Sequence, residues 1–513
     1  MSTKNTEVQG IKGHINNSLR ARRLGIDTQY ETIIFMRTDC PVCRSEGFTA
    51  HARVKVTNGR HSIIATLYQV SSELLGHNEA GLSESAWKRL DLLDGDIVTV
   101  SHPHPLSSLG KIRRKINAER LGAEDFQEII DDVVAGRYSD IHLSSFVTAC
   151  SSNTLALDEV IALTWAMTQA GERLKWKKHP IVDKHCVGGL PGNRTTPIVV
   201  SIVAACGLTM PKTSSRAITS PAGTADTMET MAPVDLDIPA MRRVVEKEGG
   251  CVVWGGAVRL SPADDTLIRV ERALEIDSEG QLIASVLSKK IAAGSTHLVL
   301  DLPVGPTAKV KDAALAQRLS ESLLLVARQF GIEARTITTD GNQPVGRGIG
   351  PALEARDVLA VLQNRPGAPG DLRHRATSLA GQLLELGGAA NVGEGESLAI
   401  QVLDDERAWR KFQRICEAQG GMREPPNAPY RHEIAAHRRG TVTSIDNHRL
   451  ARVAKLAGAP DDKSAGLELH VRLGDAIEAG QPLFTVHAES PGELAYSLEY
   501  AETAGGIIGL SEE

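Results

Sequence analysis

Two glycine-bearing loops constrain this chain most: KHCVGGLPGNRTT (Lys184 to Thr196) and KTSSRAITSPAGTADTMET (Lys212 to Thr230). Each leaves a short apolar, strand-like run and opens into a helix-like one. HPIVD leads into the first, which continues as PIVVSIVAACG; LTMPK leads into the second, which continues as TADTMETMA. A loop that ends a strand and starts a helix points backbone N–H groups outward, and the helix dipole adds partial positive charge. Gly188, Gly189 and Gly192 let the main chain approach an anion closely. Lys184, Arg194 and Arg216 can neutralise charge, while Thr195, Thr196, Ser214, Ser215, Ser220 and Thr224 can donate hydrogen bonds. One such loop is often only a turn. Two, close in sequence and both rich in hydroxyls and cations, point to phosphate. Neither is a P-loop, because no G-x-x-x-x-G-K-[ST] is present.

At 513 residues the chain is long enough for more than one domain with sizeable cores. Its net charge of −6 mixes both signs throughout, and the lack of a basic stripe argues against nucleic acid. No apolar run reaches membrane-spanning length, and the polar N-terminus has no signal core, so no membrane partner and a cytoplasmic location are expected. Seven cysteines in this length are no disulfide framework. Cys40 and Cys43, in TDCPVCRSEG, form a lone C-x-x-C, which is half a zinc site or a redox pair; no second half follows, so a metal would need ligands from afar or from a second subunit, and none is expected.

In chain order, residues 1–17 are polar and expected to fray. From Leu19 to about His104 come alternating runs, ETIIFMR, FTAHARVKV, HSIIATLYQV and DIVTVSHP, separated by turns such as TNGR and DGD. They predict a β-rich N-terminal domain, 1–104, with barrel-like closure. Residues 105–175 show helical spacing and predict a helical subdomain, joined by 262–293. From 176 to 425 strand and helix alternate, which predicts an α/β sheet with ligand sites at the strand C-terminal ends, where both loops fall. GRGIGPALEARD lacks the third small residue of a dinucleotide fingerprint, since Pro351 stands there, so no nicotinamide site is expected. Residues 430–513 read as β again. RLGDAIEAGQPLFTV has the hammerhead pattern of biotinyl carriers, but its one candidate lysine, Lys463, lacks flanking methionines, so a structural domain is expected.

The two loops also carry a resemblance. KHCVGGLPGNRTT together with SSRAITSPAGTADTME is similar to the thymidine phosphorylase and AMP phosphorylase family of pentosyltransferases, and to its long branch in particular. The similarity runs from about Leu67 to the C-terminus. It implies an α/β multidomain fold: a helical subdomain, a mixed α/β sheet domain of the nucleoside phosphorylase/phosphoribosyltransferase type, and small β-rich ends. It also implies a homo-oligomer. The reaction would be phosphorolysis of an N-glycosidic bond, with inorganic phosphate as co-substrate and no cofactor.

Such a reaction must hold phosphate against C1′, tolerate an oxocarbenium-like sugar and neutralise the departing base. Positioning and electrostatics would supply most of the acceleration. The resemblance puts Lys184, Cys186, Ser214 and Thr224 on phosphate and His185 beside the nucleoside. Cys186 stands where thymidine phosphorylases have serine, and a thiol is the weaker donor. Of the pyrimidine-gripping arginine, serine and lysine, Ser285 and Lys289 are matched. Val270 takes the arginine position, between Arg269 and Arg272. Asp277 stands where AMP phosphorylases have their proton donor, although Asp-Ser-Glu-Gly also reads as a helix cap. Gly189, Ser215, Arg216, Ala217, Ile218, Thr219, Ser220, Thr224, Ser285 and Lys309 match nucleotide-contacting positions. An AMP-type phosphorylase is therefore favoured over a strict thymidine phosphorylase. An anthranilate-type phosphoribosyltransferase would need G-T-G-G-D where this chain has C-V-G-G-L. A non-enzymatic scaffold built on the β-rich ends is the remaining alternative.

Overall fold

Strict alternation decides the N-terminal architecture. In RVKVTN, Val54 and Val56 are fully buried while Lys55 and Thr57 face outward; in IVTVS, Val98 and Val100 are buried while Ile97 and Thr99 are not. A period of two puts one face of each strand on a core. In the computed structural model, which describes residues 17–188, 190–217, 220–276 and 278–511, six strands close on that core. They are β1 (Ser18–Arg23), β2 (Ile33–Arg37), β3 (Arg53–Asn58), β4 (His61–Val70), β5 (Glu79–Leu82) and β6 (Ile97–Ser101), in the barrel order β1-β5-β2-β4-β3-β6. Fully burying one such valine contributes about 1.5–3 kcal/mol. An aspartate at Val56 would put an unpaired charge among these side chains and break the barrel. The fraying expected for residues 1–17 falls, apart from Asn17, outside the described residues.

Cys40 and Cys43 belong to that core. Cys40 caps the short helix Pro41–Glu46, its sulfur accepting from the Cys43 backbone N–H at 3.2 Å. By its contacts the chain divides into two compact units, one within residues 1–114 and 131–145, the other within 115–130 and 146–513. The division therefore runs through the helical stretch.

The second unit is built on parallel strands: β7 (Val182–Cys186), β8 (Met210–Ser214), β9 (Gly250–Trp254), β10 (His297–Val304) and β11 (Glu333–Asp340). β11-β10-β7 and β8-β9 are joined by a parallel bridge between Ile181 and Thr209. β10 is a near-continuous apolar run, with Leu298, Val299, Leu300 and Leu302 all at 0% exposure, as a strand covered on both faces requires. The helix Thr196–Ala205 is mostly apolar and buried from Thr196 to Ala204, against helices Gly370–Leu386 and Arg407–Gln419. Helices Pro262–Leu274 and Glu279–Ala292 pack on Leu157–Gln169. Strands then return near the C-terminus. β12 (Gly348–Ile349), β15 (Gly466–Leu469), β17 (Pro482–Ala488) and β13 (Tyr430–Ala435) form one sheet. β16 (Ala476–Ile477), β14 (Gly440–Ile445) and β18 (Ile508–Leu510) form another. The fold is thus an α/β multidomain one with a helical part and β-rich ends, as the sequence predicts. No described helix is long and apolar enough to cross a membrane.

Candidate active site

β7 divides its polar side chains between two faces, because successive strand residues point opposite ways. Asp183 and His185 share one face. The Asp183 carboxylate, 1% exposed, accepts from Lys290 Nζ at 2.7 Å and lies 3.3 Å from Lys212 Nζ on β8. Burying two ammonium groups is tolerable only with such a counter-charge. Burial, with Lys290, Lys212, Lys289 and Lys184 around it, holds the His185 imidazole well below its usual pKa. It is therefore a neutral hydrogen-bonding group at neutral pH. Lys184 and Cys186 take the other face. Lys184 Nζ donates to Thr195 Oγ1, and burial lowers its pKa from the usual lysine value. Cys186 Sγ accepts from Asn193 Nδ2 at 3.0 Å, and burial pushes the thiol up, so it stays protonated.

The first loop ends at the N-terminus of the helix Thr196–Ala205. Gly188 has φ +92°, and a Cβ there would lie 2.6 Å from Lys309 Cβ. Only glycine lets Lys309 pack against this loop. Arg194 joins the two loops. It donates to Thr224 Oγ1 and the Ala222 carbonyl at 3.0 Å each, and its Nε pairs with the buried Glu354. Glu354 lies on the helix Pro351–Leu362, so that helix touches the first loop.

The second loop is held by one carboxylate. Asp226, 2% exposed, accepts from Ala217 N at 2.6 Å and Gly223 N at 3.0 Å, pinning both ends of the 217–223 segment. A Cβ on Gly223 would lie 2.5 Å from Ala217 N, so the segment closes only with glycine there. Arg216 donates to both Glu229 oxygens at 2.7 and 2.8 Å, reaches Asp226 at 3.3 Å, and stacks over Trp254 with 4.9 Å to the ring centroid. Arg216, first of all, pulls Glu229 down to about 2. Lys463 completes the network at 3.1 Å from Asp226 and 3.2 Å from Glu229. It braces this loop.

Both loops face one cavity of about 240 Å³. Of the residues predicted from sequence, Lys184, His185, Cys186, Ser214, Ser215, Arg216, Ser220, Thr224 and Lys289 line it. Ser214 Oγ is buried and has no partner among the described residues, so its donor is available to an anion. Ser285 and Lys309 adjoin it: Ser285 Oγ lies 3.3 Å from Lys289 Nζ, and Lys309 packs on Gly188. Ala217 contributes its backbone to the Asp226 clasp. Val270 is a buried core residue of its helix, 4% exposed. Gly189, Ile218, Thr219 and Asp277 lie outside the described residues. Sequence reasoning missed Lys212, Lys290 and Asp265, which also line the cavity. A lysine inside the apolar strand LTMPK is itself a signal, because buried lysines are paired.

The fold agrees with comparisons to known proteins. Residues 178–409 match the family model described as glycosyl transferase family, a/b domain, and residues 111–171 match its helical bundle domain. Residues 441–507 match the pyrimidine nucleoside phosphorylase C-terminal domain. The chain is 58% identical over 513 residues to a Polaromonas sp. protein named "Putative thymidine phosphorylase", with 100% of each covered. A Chelativorans sp. protein of the same name is 60% identical over 492 residues, 96% of this chain and 97% of that one. Among solved structures, anthranilate phosphoribosyltransferase from Thermus thermophilus aligns with a TM-score of 0.50 at 21% identity, over 60% of this chain and 98% of that one. That likeness is one of fold.

Proposed function

This chain belongs to the glycosyl transferase family that contains the thymidine phosphorylases, a family of pentosyltransferases, and we propose that it cleaves the N-glycosidic bond of a nucleotide or nucleoside by phosphorolysis. The products are the free base and a sugar 1-phosphate, or ribose 1,5-bisphosphate where the substrate carries a 5′-phosphate. AMP-type substrates are the favoured class. One observation carries the reading: the two hydroxyl- and cation-bearing loops and Lys289 open on the same cavity.

Inorganic phosphate is the nucleophile in this scheme, so no side chain needs to be activated. Lys184, Ser214 and Thr224 hold it, with the N-terminus of the helix Thr196–Ala205 adding partial positive charge. Cys186 faces the same seat as a weaker donor. His185, kept neutral by burial, hydrogen-bonds the sugar without adding a charge that would repel an oxocarbenium-like centre. Ser285 and Lys289 meet the base edge, and Lys309, packed on Gly188, meets a 5′-phosphate. By the resemblance Asp277 hands a proton to the departing base. Val270, interior where a pyrimidine-gripping arginine would stand, weighs toward a purine.

The second reading is a strict pyrimidine nucleoside phosphorylase. It draws on the Ser285–Lys289 pair, 3.3 Å apart on one helix face. Phosphate-dependent base release from AMP, CMP, UMP, thymidine and uridine separates the two. Release from AMP is the expected result. Turnover of thymidine alone sinks the favoured class, and no phosphate-dependent release from any of the five sinks both readings.

A further inference from the structure

Two hydroxyls of the second loop line the cavity, Ser214 where β8 stops and Thr224 where the chain turns helical. They are held differently. Ser214 Oγ has no partner among the described residues, so its O–H is free to turn. Thr224 Oγ1 accepts from Arg194 Nη1 at 3.0 Å and gives no hydrogen bond to any described residue. A guanidinium can only donate, and a threonine hydroxyl has one proton. With Arg194 filling an acceptor site on the oxygen, the Thr224 proton must point away from Arg194, on a side chain that faces the cavity.

Arg194 is itself anchored from its far side. Nη2 donates to the Ala222 carbonyl at 3.0 Å, and Nε pairs with Glu354, whose side chain is 1% exposed. Glu354 in turn accepts from the Gly350 backbone N–H at 3.3 Å and from Thr227 Oγ1 at 3.4 Å. Every nitrogen of the guanidinium is therefore engaged, and its charge is balanced by a buried carboxylate. Lysine could not replace it, because one ammonium on a flexible stem does not present donors in a planar fork. An arginine that gripped phosphate itself would turn two nitrogens side by side onto the anion. Here both Nη atoms are given to Thr224 and Ala222.

Granted the phosphorolysis proposed above, on which this rests, we propose that Arg194 is a positioning residue: anchored by Glu354, it turns the Thr224 hydroxyl so that its proton meets inorganic phosphate. The hydroxyl is then a donor aimed before the anion arrives, and it costs no reorganisation on binding. A rotating hydroxyl such as Ser214 loses freedom when it binds. Arg194 belongs to the first loop and Thr224 to the second, so the same contact also fixes the spacing of the two loops. The effect of Arg194 on phosphate passes through Thr224 and not through its own charge.

Arg194→Lys, Arg194→Met, Thr224→Val and the double variant Arg194→Lys with Thr224→Val distinguish this role from a direct or a merely structural one. The readouts are the Kd of inorganic phosphate by calorimetry, the KM for phosphate and the KM for the nucleotide or nucleoside. Each single variant is expected to raise the phosphate Kd and KM about 10- to 100-fold, the span of one hydrogen bond to a charged group, and to leave the other KM within roughly twofold. The double variant is expected to bind phosphate within roughly threefold of Thr224→Val alone, because residues that act through one contact are not additive. Additive losses would make Arg194 a phosphate ligand in its own right and overturn the assignment. So would an Arg194→Lys variant with the original phosphate KM, which would show that charge alone suffices, or an equal rise in both KM values, which would mark a general loss of structure. Arg194→Lys keeps a cation for Glu354, so it carries the comparison if Arg194→Met does not fold. If the unaltered protein binds phosphate but releases no base, the phosphorolysis reading falls while calorimetry still judges Arg194. If it binds no phosphate, both fall.

Discussion

The two loops look alike in sequence and are built differently. In the first, Lys184 Nζ has a neutral partner, Thr195, and its charge remains directed at the cavity. In the second, the cation is spent internally: Arg216 is shared among Glu229, Asp226 and Trp254. The first loop presents charge; the second presents hydroxyls on a frame held rigid by charge. A loop's composition therefore reports what it contains, while its counter-ions decide what it offers a ligand.

This contrast can be broken by substitution. Lys184→Met should have the largest effect, a loss of about 10²–10³ in kcat/KM for phosphate-dependent base release, the range for removing one preorganised donor. A loss under tenfold would mean the first loop does not present its charge. Next comes Asp226→Ala, which removes the clasp on Ala217 and Gly223. Hydrogen bonds to a charged group contribute about 1.5–3 kcal/mol, so KM should rise about 10- to 100-fold, with faster amide exchange at those two residues. Unchanged exchange there would show that the frame does not depend on this carboxylate. Lys463→Met should raise KM by no more than about fivefold and leave kcat alone, because a partly exposed ion pair is worth at most about 1 kcal/mol. Lys463→Arg should restore the original value; failure to do so would show that the brace needs more than a cation. The smallest change is expected from Cys186→Ser, a fall in the phosphate KM of about twofold as a stronger donor replaces the thiol. A rise would show that Cys186 meets something other than phosphate.

Much of this was legible in the chain because it rests on local rules. Glycine, hydroxyl and lysine at a strand end mark a βα loop without reference to anything distant, and four of the six barrel strands announce themselves by alternation. β1 and β5 do not. SLRARR turns only Leu19 and Ala21 inward among arginines, and EAGL is four residues long, so tertiary pairing and not pattern makes them strands. The buried cluster of Asp183, Lys212 and Lys290 was illegible for another reason. Its members are separated by 29 and 78 positions, and only the sheet and its covering helix bring them together. Arg216 shows the same limit from the opposite side. It reads as a cation beside a phosphate loop, and nothing nearby in the chain reveals that Glu229 and Asp226 will absorb its charge. Lys463, weighed in sequence as a carrier lysine, finds its acids more than 200 positions away, at Asp226 and Glu229.

The closure of β6 on β1 has its own consequence. A sheet that meets itself leaves no free rim of amides and carbonyls for an incoming strand to zip onto. Anything that docks on the N-terminal unit through its sheet must therefore grip side chains. Ile97, 55% exposed on the outside of that ring, is an apolar handle of this kind.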